Sequence, residues 1–286
     1  MLSDIVPALV CPVCGSDLAL ADRVLACPSG HAFDVARQGY VNLLTGKGAA
    51  STADTTEMVA ARREFLDAGH YARIAEAIVD AATDSITGAD GVFLDAGAGT
   101  GYYLASLLDA FPQHAGIALD ISKHAARVAA RSHERVGAIV ADVWAPLPLR
   151  DGCAALVLVV FSPRNAEEFA RVLAPGGMLI VVTPNPEHLI ELVGPLGLIT
   201  VDPLKRERLS AKVGPLFEAV NEREITYQLT LDRDGAHAAV SMGPSAAHVS
   251  EEELSTRMQS IPEPVDVTVS VTVGTYRCRT PGTADA

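Results

Sequence analysis

Three cysteines and one histidine near the start of the chain have the spacing of metal ligands. Two residues separate Cys11 from Cys14, twelve separate Cys14 from Cys27, and three separate Cys27 from His31. Two close pairs of ligands on tight turns can surround one tetrahedral ion, and four protein ligands leave no open position for a reacting water. The spacing therefore predicts a structural zinc site. The alternative is a set of buried free cysteines beside a surface histidine.

A glycine-rich turn follows an apolar run near residue 92. Its sequence is Asp95-Ala96-Gly97-Ala98-Gly99-Thr100-Gly101. Glycines let a ligand lie against the backbone at the carboxyl edge of a parallel sheet. A dinucleotide fingerprint would need glycine at position 102, where Tyr102 stands, so the pattern disfavours NAD. The acid before the turn suits a ligand with a positively charged amino group and would repel a pyrophosphate. The predicted cofactor-binding residues of this turn are Asp95, Gly97, Gly99, Thr100, Gly101 and Tyr102.

Two further acidic residues end the next two apolar runs. Asp120 stands where an acidic side chain accepts hydrogen bonds from ribose hydroxyls; the alternative is an ordinary residue at the entry of a helix. Asp142 is followed by Val143 and Trp144, which offer a carboxylate and apolar surface to an adenine ring. Asp120, Asp142 and Val143 complete the predicted cofactor site.

Short apolar runs alternate with helical patterns from residue 92 onward. Continuous apolar runs are typical of parallel strands that are buried on both faces. The runs are Val92–Ala96, Ala115–Asp120, Gly137–Val140, Ala154–Phe161 and Met178–Thr183, with helical stretches at Ser122–Glu134 and Asn165–Leu173 and alternating strands at Ile225–Leu231 and Val265–Val273. The sequence predicts a doubly wound, Rossmann-like α/β sheet, followed by two strands whose alternation fits an antiparallel pair.

Candidate acceptor-side residues follow the fourth and fifth of these runs. Arg164 could orient a base or phosphate, and Glu187 or His188 could act near the acceptor, although surface loop residues without a catalytic part are the commoner case. Arg62 and Arg63 could reach an RNA phosphate or a ligand carboxylate, or simply be solvated. Two basic clusters could hold RNA, although a solvated face is the commoner case for either, and the members of the first recur every four residues, which predicts one helix face. The clusters are Lys123, Arg127, Arg131 and Arg135, and Lys205, Arg206, Arg208 and Lys212.

The net charge argues against a polyanionic partner at long range. The chain of 286 residues has 22 Lys and Arg against 35 Asp and Glu, a formal charge of −13, and its pI is about 5.0. An RNA substrate therefore does not follow from charge. No apolar run approaches the roughly 20 residues that cross a bilayer, and the first residues lack a secretory pattern. These features predict a cytoplasmic protein without a membrane partner.

The ordered series of motifs resembles a known family over nearly the whole chain. The zinc pattern runs into FDVARQGYVNLL and ARREFLDAGHY, and the glycine turn is followed by LDISK, ADVWAPLPLRDG and MGPSAAH. The glycine turn and the strand-end acids resemble class I S-adenosylmethionine-dependent methyltransferases. With the zinc pattern, the chain resembles the RlmA family of 23S rRNA guanine-N1 methyltransferases, most of all its tylosin-resistance branch.

This resemblance implies S-adenosylmethionine as the cofactor, structural Zn²⁺, and N1-methylation of a guanine in hairpin 35 of 23S rRNA. It favours nucleotide 748 over 745 and implies a homodimer whose zinc modules help to hold the RNA. The expected organisation is a zinc-binding RNA-recognition module over 1–36, a linker and helical segment over 37–85, and a class I methyltransferase domain over 86–286. Macrolide resistance of the host stays open. The competing hypotheses are a methyltransferase for a small molecule and a non-enzymatic zinc and nucleotide module that binds RNA.

Overall fold

The structure is a computed structural model that describes residues 1–45, 53–86, 88–198, 213–243 and 251–279. Two stretches singled out in the sequence therefore lie wholly or largely outside the described residues. They are the basic cluster at 205–212 and the motif MGPSAAH at 242–248.

A mixed sheet of eight strands forms the centre of the molecule. Its spatial order is β10-β11-β9-β8-β5-β6-β7-β4. The six strands from β9 to β4 are parallel, whereas β11 pairs antiparallel with both β9 and β10. The strands are β4 (Val41–Asn42), β5 (Val92–Ala96), β6 (Gly116–Asp120), β7 (Val136–Val140), β8 (Ala154–Val160), β9 (Leu173–Pro184), β10 (Phe217–Leu231) and β11 (Val265–Cys278). The predicted doubly wound sheet with its antiparallel pair is confirmed.

The predicted strands differ from the observed ones mainly at their ends. The antiparallel pair is longer than its apolar alternation indicates, at 15 and 14 residues. The fourth predicted strand included Phe161, but that residue has a left-handed φ of 53° and lies outside β8. The strand ends because the chain turns sharply there, and the turn brings the next residues over the glycine-rich loop.

Two apolar cores lie on opposite faces of the sheet. One core contains Phe65, Ile74 and Leu104, and the other contains Leu9, Leu25 and Phe169. Among the described helices, none is long and apolar enough to cross a membrane. The helices are α1 (Leu2–Ile5), α2 (Thr56–Asp67), α3 (Ala72–Ser85), α4 (Tyr102–Ala110), α5 (Lys123–Ala129), α6 (Ala166–Val172), α7 (Ile190–Leu196), α8 (Arg233–Ser241) and α9 (Glu251–Met258).

The N-terminal segment covers the part of the second face that lies beside β6 and β7. A doubly wound sheet places a helix in each crossover, but residues 141–153 between β7 and β8 contain none. Instead, Leu9 bridges Leu149, and the backbone NH of Arg150 donates to Ala8 O at 2.9 Å. The segment 1–34 thus takes the position of a crossover helix and shares its core with the sheet. The domain boundaries at 36 and 85 stay a prediction.

The N-terminal segment carries its own small sheet. Strands β1 (Ala19–Ala21), β2 (Val24–Ala26) and β3 (Ala32–Asp34) form an antiparallel meander. Further along, β4 adds to the edge of the large sheet by pairing in parallel with β7. The segment is therefore joined to the sheet through both packing and strand pairing.

The basic face predicted along Ser122–Glu134 is wrong in its second half. Ser122 caps α5 by accepting from the backbone NH of Ala125, as its position predicted, but the helix ends at Ala129. Arg135 lies beyond it and donates to the carbonyl oxygens of Leu108 in the last turn of α4, of Phe111 at its C-cap (2.9 Å) and of His114 just beyond (2.7 Å). Because this guanidinium satisfies helix-end carbonyls, it is structural, and the four basic residues do not share one helix face.

We predict that Gly137→Ala loosens the N-terminal segment. A Cβ at this strand position would lie 2.5 Å from Cδ1 and Cγ1 of Ile5 in α1. Overpacking of this kind costs about 1–3 kcal/mol in the free energy of unfolding, which urea denaturation measures. Gly194→Ala is the control, because nothing lies within 4 Å of that position. A Gly137→Ala penalty that persists in the Ile5→Ala background would contradict the contact.

Candidate active site and metal centre

The four predicted zinc ligands meet at one point of the N-terminal segment. Their ligand atoms all lie within 4.8 Å of one another. The Sγ atoms of Cys14 and Cys27 are 3.7 Å apart, and Nδ1 of His31 lies 3.6 Å from Sγ of Cys11 and 3.3 Å from Sγ of Cys27. Zinc–sulfur bonds of about 2.3 Å give tetrahedral sulfur–sulfur separations of about 3.8 Å. These residues therefore fit a closed tetrahedral zinc site.

Two similar turns hold these ligands. The backbone NH of Gly15 donates to Cys11 O at 2.8 Å, and the NH of Gly30 donates to Cys27 O at 3.0 Å. Both glycines have left-handed φ angles, 71° and 87°, which residues with a side chain adopt at a cost. Each turn brings its ligands to the same point.

The glycine-rich loop joins the end of β5 to the start of α4. Gly97 has a φ of 86°, and a Cβ there would lie 1.9 Å from Oγ of Ser162, which donates to Ala96 O at 2.7 Å. Gly101, with a φ of 79°, is the N-cap of α4. The loop is therefore packed so closely that Gly97 and Gly101 tolerate no larger residue.

Two buried carboxyl groups stand beside this loop. Asp120 accepts from the backbone NH groups of Gly99 and Ser122, each at 2.8 Å. Asp95 is 1% exposed, and neither of its carboxyl oxygens has a hydrogen-bond partner. Burial, together with the nearby Asp120, raises the pKa of Asp95 to about 8. Burial also raises the pKa of Asp120, although both backbone hydrogen bonds oppose it. A positively charged ligand group near Asp95 would therefore stabilise its carboxylate.

The end of β7 supplies the third acidic position. Oδ1 of Asp142 accepts from the backbone NH of Trp144 at 2.9 Å, while Asn165 donates to Val143 O at 3.0 Å. Val143 is buried, and the Trp144 side chain is 57% exposed. Carboxylate and apolar surface thus lie together at the carboxyl edge of the sheet, as the prediction for an adenine requires.

An aromatic group borders the loop on the side of β8 and β9. The Phe161 ring, 39% exposed, lies 5.7 Å from His188 and 6.2 Å from Tyr71, measured between ring centroids. Phe161 directly precedes Ser162, whose hydroxyl is packed against the loop at Gly97. Phe161 and Tyr71 were not predicted as site residues, because neither the left-handed turn at Phe161 nor the fold-back of α2 and α3 has a sequence signal.

His188 is held by hydrogen bonds on both ring nitrogens. Nδ1 accepts from the backbone NH of Ser270 at 3.3 Å, and Nε2 lies 3.0 Å from the Tyr71 hydroxyl. A ring that accepts at Nδ1 carries its proton at Nε2 when neutral. Proton acceptance by His188 would therefore require release of the Ser270 bond. Its catalytic role stays a prediction.

Arg164 is not brought to the glycine-rich loop by any hydrogen bond or ion pair among the described residues. Its Nε is buried without a partner, and burial lowers the pKa of its guanidinium, with the Tyr276 hydroxyl of β11 nearby. Tyr276 belongs to the core that the N-terminal segment covers. The catalytic role of Arg164 likewise stays a prediction.

Comparison with known proteins finds families that match both the zinc-bearing segment and the part of the chain with the glycine-rich loop. A family profile described as "RlmA, N-terminal" matches residues 9–47, and one described as "Methyltransferase domain" matches residues 93–177. The 23S rRNA (guanine(748)-N(1))-methyltransferase of Streptomyces fradiae is 48% identical over 273 residues, which are 95% of this chain and 97% of that protein. The chain belongs to the 23S rRNA (guanine-N1)-methyltransferase family.

Another member of the family comes from Micromonospora griseorubida. Its name gives 23S rRNA guanine-N1 methylation as a provisional activity, and it is 48% identical over 97% of this chain and 99% of its own length. The resemblance stated from the sequence motifs is thus confirmed over nearly the whole chain.

The loop of this methyltransferase fits S-adenosylmethionine. The unpartnered carboxyl of Asp95 suits the positively charged amino group of that cofactor, and the glycines of the loop let a ligand approach the backbone without a side chain in between. Bound S-adenosylmethionine supplies an electrophilic methyl group on a sulfonium. The residues that we propose to hold it are Asp95, Gly97, Gly99, Thr100, Gly101, Tyr102, Asp120, Asp142 and Val143.

We predict that Cys11→Ala releases zinc and destabilises the whole methyltransferase. Cys11 is 1% exposed and belongs to the core that the segment shares with the sheet. We expect the melting temperature to fall by about 5–10 °C, with bound zinc measured in parallel. Cys153→Ala is the control, because that thiol stands apart from the cluster. Full zinc content in Cys11→Ala would contradict the assigned ligand set.

The raised pKa of Asp95 predicts proton release when S-adenosylmethionine binds. The free carboxyl is protonated below about pH 8, and a cationic partner favours its charged form. Cofactor affinity should therefore rise from pH 6 towards pH 8. Calorimetry at pH 7 in two buffers of different ionisation enthalpy should detect release approaching one proton. Asp95→Asn should bind more weakly and without this release; a release equal to that of the wild type would assign it to another group.

Proposed function

We propose that the protein methylates N1 of a guanine in 23S rRNA with S-adenosylmethionine as the methyl donor. The single observation that carries the proposal is the near full-length match to the Streptomyces fradiae enzyme, at 48% identity. The unpartnered Asp95 beside a close-packed glycine loop, with an aromatic group next to it, supports the same chemistry.

The chain's own residues have a limited chemical task in this reaction. N1 of guanine becomes nucleophilic once its proton leaves, so no covalent enzyme intermediate is needed. The loop orients one reactant, and the acceptor side must hold the base in line with it. We propose that His188 and Arg164 act on this side, as proton acceptor and as base or phosphate ligand.

The aromatic group of Tyr71, Phe161 and His188 supports a splayed base as the substrate. An unstacked RNA base is commonly held by stacking on an aromatic ring. The Phe161 ring is exposed, and its left-handed φ is a conformation that costs about 1 kcal/mol or more for such a residue. We propose that Phe161 forms one wall of the guanine pocket.

The target nucleotide, the oligomeric state and the cellular location of the protein are also part of what we propose. We propose nucleotide 748 in hairpin 35 over 745, a homodimer in which the zinc modules contact the RNA, and a cytoplasmic location. The name of the Streptomyces fradiae relative, a guanine(748)-N1 methyltransferase, supports 748. Resistance to tylosin is proposed only as a consequence of methylation at that nucleotide.

The test is incubation of the purified protein with labelled S-adenosylmethionine and 23S rRNA fragments that contain hairpin 35. We expect label on the wild-type fragment and none when guanine 748 is replaced by adenine, with N1-methylguanine identified by mass spectrometry. Label that follows nucleotide 745 would overturn the target. Absence of RNA label together with methylation of a small molecule would overturn the function.

Three variants test separately how the protein binds the methyl donor and how it binds the RNA. Gly97→Val should abolish cofactor binding, since its Cβ would overlap Oγ of Ser162. Phe161→Ala should keep cofactor affinity and lose about tenfold or more in kcat/KM for RNA. Cys11→Ala should weaken RNA binding more than cofactor binding. Equal losses of RNA affinity and cofactor affinity in Cys11→Ala would contradict the proposal that the zinc module binds the RNA and the methyltransferase domain binds the cofactor.

A further inference from the structure

One arginine from helix α2 lies against the glycine-rich loop. A Cβ built on Gly99 would lie 3.1 Å from Nη1 and 3.4 Å from Cδ of Arg62. This guanidinium comes from α2, well before the loop in the chain. Its side chain is 25% exposed, so it is neither a solvated surface residue nor a fully enclosed one.

Three parts of the chain fix Arg62 in this place. Its Nη1 is ion-paired with Asp54, and its Nη2 donates to Met242 O at 2.7 Å. The Asp54 carbonyl in turn accepts from the Ser122 hydroxyl at 2.7 Å, directly after Asp120. A guanidinium held by partners on two sides keeps a defined orientation towards the loop.

The groups around the loop are matched to the two charges of an amino acid. Asp95, buried without a partner, meets the requirement of an ammonium group. A carboxylate next to that ammonium would need a cation, and Arg62, whose Nη1 lies against the loop at Gly99, offers one.

We propose that Arg62 binds the carboxylate of the methionine part of S-adenosylmethionine. Asp54 and Met242 O hold the guanidinium against the loop at Gly99. Asp95 then binds the ammonium group, and Arg62 binds the carboxylate. Arg62 thereby places the donor along the loop. The inference rests on the cofactor of the proposed function and not on its RNA substrate.

Decarboxylated S-adenosylmethionine provides the decisive probe, because it keeps the ammonium and the sulfonium but lacks the carboxylate. Calorimetry with the full chain should show that the wild type binds this probe about tenfold to a hundredfold more weakly than S-adenosylmethionine. Arg62→Gln should lose a similar factor for S-adenosylmethionine and bind the probe as the wild type does. Arg62→Lys should give an intermediate loss of affinity, since lysine keeps the positive charge but lacks the paired N–H donors of the planar guanidinium.

Arg63→Gln is the matched control. This neighbouring arginine is 65% exposed and pairs with Asp67 on the same helix, so its replacement should leave both affinities unchanged. Equal weakening of both ligands by Arg62→Gln would show that Arg62 only supports the fold, and unchanged S-adenosylmethionine affinity would refute the contact. Both measurements are independent of RNA, so a failure of the rRNA assay leaves this test intact.

Discussion

The carboxyl group of Asp95 is the constraint around which the active-site edge is built. A buried carboxylate without a partner is costly, and the protein avoids this cost by holding the group protonated near neutral pH. Asp120 cannot relieve it, because that side chain is itself acidic and engaged with Gly99 and Ser122. A cationic ligand is thus the missing partner. The loop, the strand ends and Arg62 surround the place where such a ligand would lie.

The two faces of the sheet are covered by different parts of the chain. On one face, α3 and α4 pack in the core that contains Ile74 and Leu104. On the other, the zinc-bearing segment lies where a crossover helix is missing. The metal therefore stabilises a surface that the sheet itself needs, and it performs no chemistry, because four protein ligands leave no free position.

The sequence was sufficient for those features that depend on local spacing. The zinc ligands, the turn from Asp95 to Gly101 and the strand-end acids each occupy a short stretch, and the apolar runs identified the parallel strands. Features that depend on contacts between distant residues were not predictable in this way. The place of Arg62 over Gly99 depends on α2 folding back across the sheet edge, and Arg135 looked like part of a basic face because periodicity cannot show where α5 ends. Phe161 read as the end of a strand since a left-handed turn at a non-glycine residue has no composition signal.

The absent crossover helix also affects the order in which the chain assembles during synthesis. The N-terminal segment is synthesised before the surfaces on which it packs, because Gly137 and Leu149 follow it by more than a hundred residues. Its four metal ligands, by contrast, all lie between residues 11 and 31. Metal capture is therefore the interaction available to the nascent segment before its apolar face can be covered.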